Sequence, residues 1–295
     1  MRGLRDKLRV ICLVGFFCAV LWGLFHILST SDPKYQSQAL ASYLLNHLKQ
    51  DDIHKPEVMA AFRNADKESW PVALRLLRAD KSSLVWRMRL LLAKQPLIKY
   101  ELPPEPHWVS TLGSIGFEAL GTNGAPAIPE LAEMLKQPHY AKRAAEALIC
   151  TGPASLPTLT NRLASGTPTE CAGVLFALTQ LCAQPRYVEY SDQTFWLRPV
   201  VPYVVRLAND PAMNISGEAL KAMETWPTNA TTLLDFESLL RSPNWGVRHS
   251  AVRWLRLRHP DLPEARALLA QATNDPYWLV QRSAEDALRT LSPLR

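Results

Sequence analysis

The sequence predicts an all-α chain of stacked helix pairs, an α-solenoid, and three observations carry that prediction. First, Ser242 to Leu255, SPNWGVRHSAVRWL, returns 33 residues later as Asp275 to Leu288, DPYWLVQRSAEDAL. The copies share Pro243/Pro276, Trp245/Trp278, Val247/Val280, Ser250/Ser283, Ala251/Ala284 and Leu255/Leu288. A fixed period of this size marks repeated helical units, each burying its apolar stripe against its neighbours. Second, GAPAIPEL at Gly124 to Leu131 recurs 28 residues on as GPASLPTL at Gly152 to Leu159. Third, the 295 residues include 23 prolines and only 12 glycines. That balance suits many short helices opened by proline better than sheets or glycine-rich nucleotide loops.

At the amino terminus, Val10 to Leu28 is a run of 19 residues without a formal charge, preceded by Arg2, Arg5, Lys7 and Arg9 against Asp6 alone. As a helix it would reach about 28 Å, the thickness of a bilayer's hydrocarbon core. Residues 1–9 therefore read as a cytoplasmic basic flank, 10–28 as a transmembrane signal anchor, and the remainder as exported, by the positive-inside rule. The alternative is secretion after cleavage at Ser29-Thr30-Ser31, although the apolar run is longer than that of most signal peptides. The flank holds half of the net +6, so the rest of the chain carries only +3. That charge argues against nucleic acid as a partner. Three cysteines follow the anchor. Cys171 and Cys182 stand about 16 Å apart along one helix, too far for a disulfide. A Cys150 to Cys171 bridge and buried free thiols both remain open.

Residues 29–107 read as an irregular helical cap and connection. Helices are expected over Lys34 to Gln50, with Leu40, Tyr43, Leu44 and Leu48 on one side, and over Pro56 to Ala65, Glu68 to Arg78 and Ser83 to Lys94. The last of these, SLVWRMRLLLAK, is apolar on most faces and is expected at the centre of the stack. Gln95 to His107, with four prolines, reads as a long connection. The repeat array occupies residues 108–295. Its second helices open near Pro138, Pro168, Pro211, Pro243 and Pro276, in steps of 30, 43, 32 and 33, which gives about five helix pairs.

A helix ending in Leu-Gly, then Gly-x-x-Ala-x-Pro-x-Leu, then Asp-Pro or its equivalent and Val-Arg-x-x-Ala-x-x-Ala-Leu, resembles the HEAT repeat family as it occurs in bacteria. Here the first half is Ala119-Leu120-Gly121 with Gly124, Ala127, Pro129 and Leu131. The second is Val247-Arg248 with Ala251 and Leu255, and Val280 with Ala284, Ala287 and Leu288. The resemblance implies an Asp–Arg ladder between repeats. Asp210 and Asp275 are in place, but the arginine stands only at Arg248, with Ser216 and Gln281 at the matching positions. Apolar packing is therefore expected to hold most of the stack. One fold hosts many functions, so the resemblance speaks to architecture.

The step of 43 marks an insertion, Gln184 to Leu197, which gathers Tyr187, Tyr190, Phe195 and Trp196 beside Arg186 and Arg198. These residue types dominate binding hot spots, and insertions in a solenoid cluster on one face. The alternative is a loop whose aromatics fold back over the stack. On the helix from Trp245, Arg248 and Arg253 stand opposite an apolar stripe of Val247, Ala251, Trp254 and Leu255, as a solvated face or as a surface for an anionic partner. These eight aromatic and arginine residues are the candidate partner-binding set. Trp245 and Trp278, at the same place in two repeats, read as structural packing. The seven histidines form no HxxxH, HExxH or CxxC spacing and no GxSxG occurs, so no metal, cofactor or catalytic residue is expected. The function expected is a membrane-anchored, protein-binding scaffold that uses the concave face of second helices. The alternatives are a HEAT-like enzyme of the bilin lyase or DNA glycosylase type and a structural spacer in the envelope.

Overall fold

The computed structural model describes residues 33–48, 55–65, 68–81, 83–94, 104–183, 193–210, 213–227, 233–258 and 262–291. Among these the chain is all-α except for one two-stranded hairpin. The predicted anchor, 10–28, lies outside the described residues, and among the described residues no helix is long and apolar enough to cross a membrane. Two compact units meet in sequence between Leu120 and Gly121.

The first unit opens with β1 (Lys34–Tyr35) paired antiparallel to β2 (Gln38–Ala39). Helix was expected from Lys34. The difference lies at Gln36 and Ser37, whose φ values of 49° and 65° form a tight two-residue turn with both central residues left-handed. Helix α1 (Leu40–Leu48) follows, with Leu40 and Leu44 fully buried and Tyr43 edge-on to Tyr35 at 4.9 Å. Next come α2 (Lys55–Arg63), α3 (Trp70–Leu77), α4 (Leu84–Lys94) and α5 (Pro106–Leu120). Helices α2 and α3 both pack on α5, contributing Val58, Ala61 and Phe62 from one and Val72, Ala73 and Leu77 from the other. Gly113 makes the α3 contact possible, because a Cβ there would lie 2.4 Å from the Leu77 amide nitrogen. Lys55 pairs with Glu118 at 2.7 Å and Arg63 Nε donates to the Ala119 carbonyl at 3.2 Å. These contacts fasten α5 into the first unit, so the boundary follows Leu120 instead of residue 107.

Helix α4 is a correction to the sequence reading. Among its described side chains only Trp86 is buried, and Leu91 is 68% exposed. Its cations explain this. Arg87 and Lys94 lie on one side and Arg89 on another, splitting the apolar residues into stripes too narrow for a core.

The second unit runs α6 (Ile128–Met134), α7 (Ala141–Cys150), α8 (Leu156–Ser165), α9 (Pro168–Ala183), α10 (Gln193–Leu197), α11 (Val201–Ala208), α12 (Met213–Thr225), α13 (Leu233–Leu240), α14 (Trp245–Arg258), α15 (Pro263–Ala272) and α16 (Trp278–Thr290). The sequence periods reappear in these bounds. The pair α6 and α8 begins 28 residues apart, each after a 3-10 turn and with Pro129 or Pro157 in the first turn, where a missing N–H costs nothing. The pair α14 and α16 begins 33 residues apart. Second helices pack in succession, α7 on α9, α9 on α12, α12 on α14 and α14 on α16. A parallel succession joins α8, α11, α13 and α15. Val247, Ala251 and Leu255 with Val280 and Ala284 are fully buried between them, each large side chain contributing about 1.5–3 kcal/mol. None of Cys150, Cys171 and Cys182 is in a disulfide. The Cys171 thiol instead donates to the Arg162 carbonyl at 3.3 Å, joining α9 to the end of α8.

Candidate functional site

Ser242 and Asp275 precede the prolines of the two matched turns and play the same local part. Proline has no N–H to satisfy, so the first donor to cap lies one residue beyond it. Ser242 Oγ accepts from the Asn244 N–H at 3.2 Å, and Asp275 Oδ1 accepts from the Tyr277 N–H at 2.8 Å. Asp275 also carries a charge, and Arg248 on α14 reaches it in a fork. Nε donates to Oδ2 at 2.7 Å and Nη2 to Oδ1 at 3.0 Å, while Nη1 donates to the Ser242 and Pro243 carbonyls at 2.8 and 3.1 Å. The two side chains are 11% and 8% exposed. Burial pushes the Asp275 carboxyl up, but the Arg248 hydrogen bonds and charge and the Tyr277 N–H outweigh it and hold it below the ordinary Asp value. Arg248, a candidate partner-binding residue, is thus engaged in the joint between two repeats. Ser216 holds the equivalent position one repeat earlier and donates to the Ala208 carbonyl at 2.6 Å.

The remaining candidates separate. Arg186, Tyr187 and Tyr190 lie outside the described residues. Phe195 on α10 is 48% exposed, whereas Trp196 beside it is fully buried, the rings edge-on at 6.2 Å. Trp196 is a core side chain, because a fully buried indole offers no face to a partner. Arg198 is exposed. Arg253 is half exposed on α14 and paired with Glu224 of α12. The described part of the set therefore falls into an exposed Phe195 and Arg198 after α9 and an exposed Arg253 on α14.

The repeated tryptophans are more exposed than a packing role would lead one to expect. Trp245 and Trp278 are 42% and 61% exposed, because they open their helices at the turn, ahead of the buried stripe. Trp245 stacks on Tyr277 of the next repeat, with centroids 4.4 Å apart and planes at 23°. The sequence reading missed Tyr277. Its signal was a tyrosine standing where the earlier copy has Asn244, beside a repeated tryptophan.

Along the second helices the exposed side chains include Lys142, Lys221, Glu224, Arg253, Arg282 and Glu285, mixed in sign, with Leu257 also exposed on α14. Lys142 of α7 sits 4.7 Å above the Phe176 ring of α9, a cation–π contact that the sequence did not reveal. Half-buried Glu146 has its carboxyl pushed up by burial against the opposing pull of Arg143 and Lys142. Burial and then Arg253 push the His249 imidazole down. Between α13 and α15 lies a cleft of about 140 Å³ lined by Glu237, Leu240, Arg241, Gln271, Asn274 and Asp275. These groups offer charge and hydrogen bonds. Among the described residues no group of three His, Cys, Asp or Glu is placed to hold a metal ion. The chain matches no family model, and no curated protein is similar to it.

Proposed function

We propose that this chain is a protein-binding scaffold, an α-solenoid of HEAT-like helix pairs held outside the cytoplasm by a membrane anchor at residues 10–28. Partners bind along the face lined by the second helices, with Phe195, Arg198 and Arg253 as exposed contacts. The observation that carries this reading is the succession of α7, α9, α12, α14 and α16, each packed on the next, with Lys142, Lys221, Glu224, Arg253 and Arg282 exposed along it. A row of this kind offers an extended surface and suits recognition of a protein better than of a small molecule. The fork from Arg248 to Asp275 supports the HEAT likeness, since it joins one repeat to the next at the two positions where that family places its ladder.

The test is site-specific photocrosslinking in intact cells. Probes at Gln180, Lys221 and Arg253 on second helices are expected to trap one and the same protein in the membrane fraction. Probes at Asn161 and Gln271 on first helices are expected to trap none. Equal trapping from both rows, or none from either, would leave only a spacer. A carboxy-terminal tag digested by protease added to spheroplasts is expected, and a tag that resists until the membrane is broken refutes the exported topology.

A further inference from the structure

Basic charge gathers in three stretches of this chain. One is residues 1–9. The second is 70–94, which holds Arg75, Arg78, Lys81, Arg87, Arg89 and Lys94 against Asp80 alone, a net +5, and the third is 241–258, with five Arg and no acid. Within that second stretch stands α4, whose position in the fold was unexpected. Leu91 is 68% exposed, and Arg87 and Lys94, one turn before and one turn after it, are exposed on the same side. An apolar side chain bracketed by long cations, on a helix with Trp86 alone buried among its described side chains, has the chemistry of an interfacial helix. The leucine enters the acyl boundary and the cations extend to lipid phosphates.

Chain length holds the start of the first unit near such a surface. Only residues 29–32 separate the predicted membrane span from Pro33, whose carbonyl accepts from the Leu40 N–H and so fixes it to the first unit. Four residues and their flanking bonds extend at most about 18 Å. We propose that α4 is a docking helix for an anionic lipid surface, which it grips through Arg87, Lys94 and Leu91 so that the first unit lies against the bilayer. The proposal rests on the anchor reading for its geometry, while the charge and exposure of α4 stand independently of it. Anionic lipid is the occupant that the neighbouring span favours over nucleic acid.

The experiment is amide hydrogen exchange on the full-length chain reconstituted into vesicles of phosphatidylcholine alone or with about 30% phosphatidylglycerol. Residues 84–94 are expected to exchange about tenfold more slowly in the anionic vesicles. That protection should vanish in about 0.5 M salt and in Arg87→Glu/Lys94→Glu, a surface change whose folding circular dichroism verifies. Leu91→Asp should also abolish it. Equal exchange in both vesicles, or protection by an added oligonucleotide in preference to lipid, overturns the proposal. Flotation keeps the two readings apart. A chain that floats with neutral vesicles has its anchor. If it does not, the anchor reading fails, and α4 is then judged by whether anionic vesicles alone float the chain and whether the double variant stops them.

Discussion

Helices α7 and α9, and helices α14 and α16, are neighbours of the same kind in the same row, yet opposite chemistry holds them. At the first seam the main chains touch. A Cβ on Gly173 would lie 2.9 Å from the Ala141 carbonyl oxygen, and Ala144, Ala145 and Ala177 are buried around that contact. At the second seam Trp254 and Leu255 are buried, and the turns are tied by the Arg248–Asp275 fork with Trp245 stacked on Tyr277 outside it. A seam of small residues exists only at van der Waals contact, so shape alone fixes its register. Bulky side chains can slide past one another, and there directional, charge-assisted bonds set the register.

The largest test of this contrast is Gly173→Val. The added atoms meet backbone, which cannot swing aside, so stability should fall by about 3 kcal/mol, read as a drop in urea midpoint. Asp275→Ala should cost about 2 kcal/mol, because it strands a largely buried guanidinium that keeps only its two carbonyl acceptors. Removing both partners in Arg248→Met/Asp275→Leu should cost less than the single change. If the double variant proves worse, the fork does not set the register. Trp245→Ala should cost about 1 kcal/mol for the lost stack, and Trp278→Ala less than about 0.5 kcal/mol. Equal losses would mean that Tyr277 contributes nothing.

The smallest expected effect is one of pH. Asp275 has a depressed carboxyl, so its contribution is present above the ordinary Asp pKa of about 3.9 and is lost as pH falls through the lower folded value. Glu146 near the first seam has a raised carboxyl, so its share is present at low pH and fades as pH rises through that value. Asp275→Asn should therefore lessen the rise of stability with pH across the acid range, and Glu146→Gln should steepen it.

The helix periods were legible because they are covalent. Proline at the first turn and the buried valine and alanine at fixed offsets recur in the chain itself, and the structure begins its helices where they predict. The direction a repeated side chain faces was not legible. Trp245 and Trp278 occupy one place in two repeats, and that sameness holds for a surface position as well as for a core one. Helix α4 misled for a related reason, since its apolar content was high while its cations, on two sides, decided its exposure. Trp196 and Phe195 are adjacent in sequence with opposite fates, a choice made by the elements they pack on.

Cys171 has a consequence in redox chemistry. The residue is 3% exposed, and its thiol is already committed to the Arg162 carbonyl, with the Gly166 carbonyl at 3.7 Å. Burial first, and then the Glu170 carboxylate, push the thiol up. Thiolates, not thiols, attack disulfides and peroxides, and they must be reached to do so. In the exported setting proposed above, where oxidants that forge disulfides are at work, this cysteine behaves as an inert donor closing a helix end. The end of α8 is therefore joined to α9 by a contact that oxidation cannot easily rewrite.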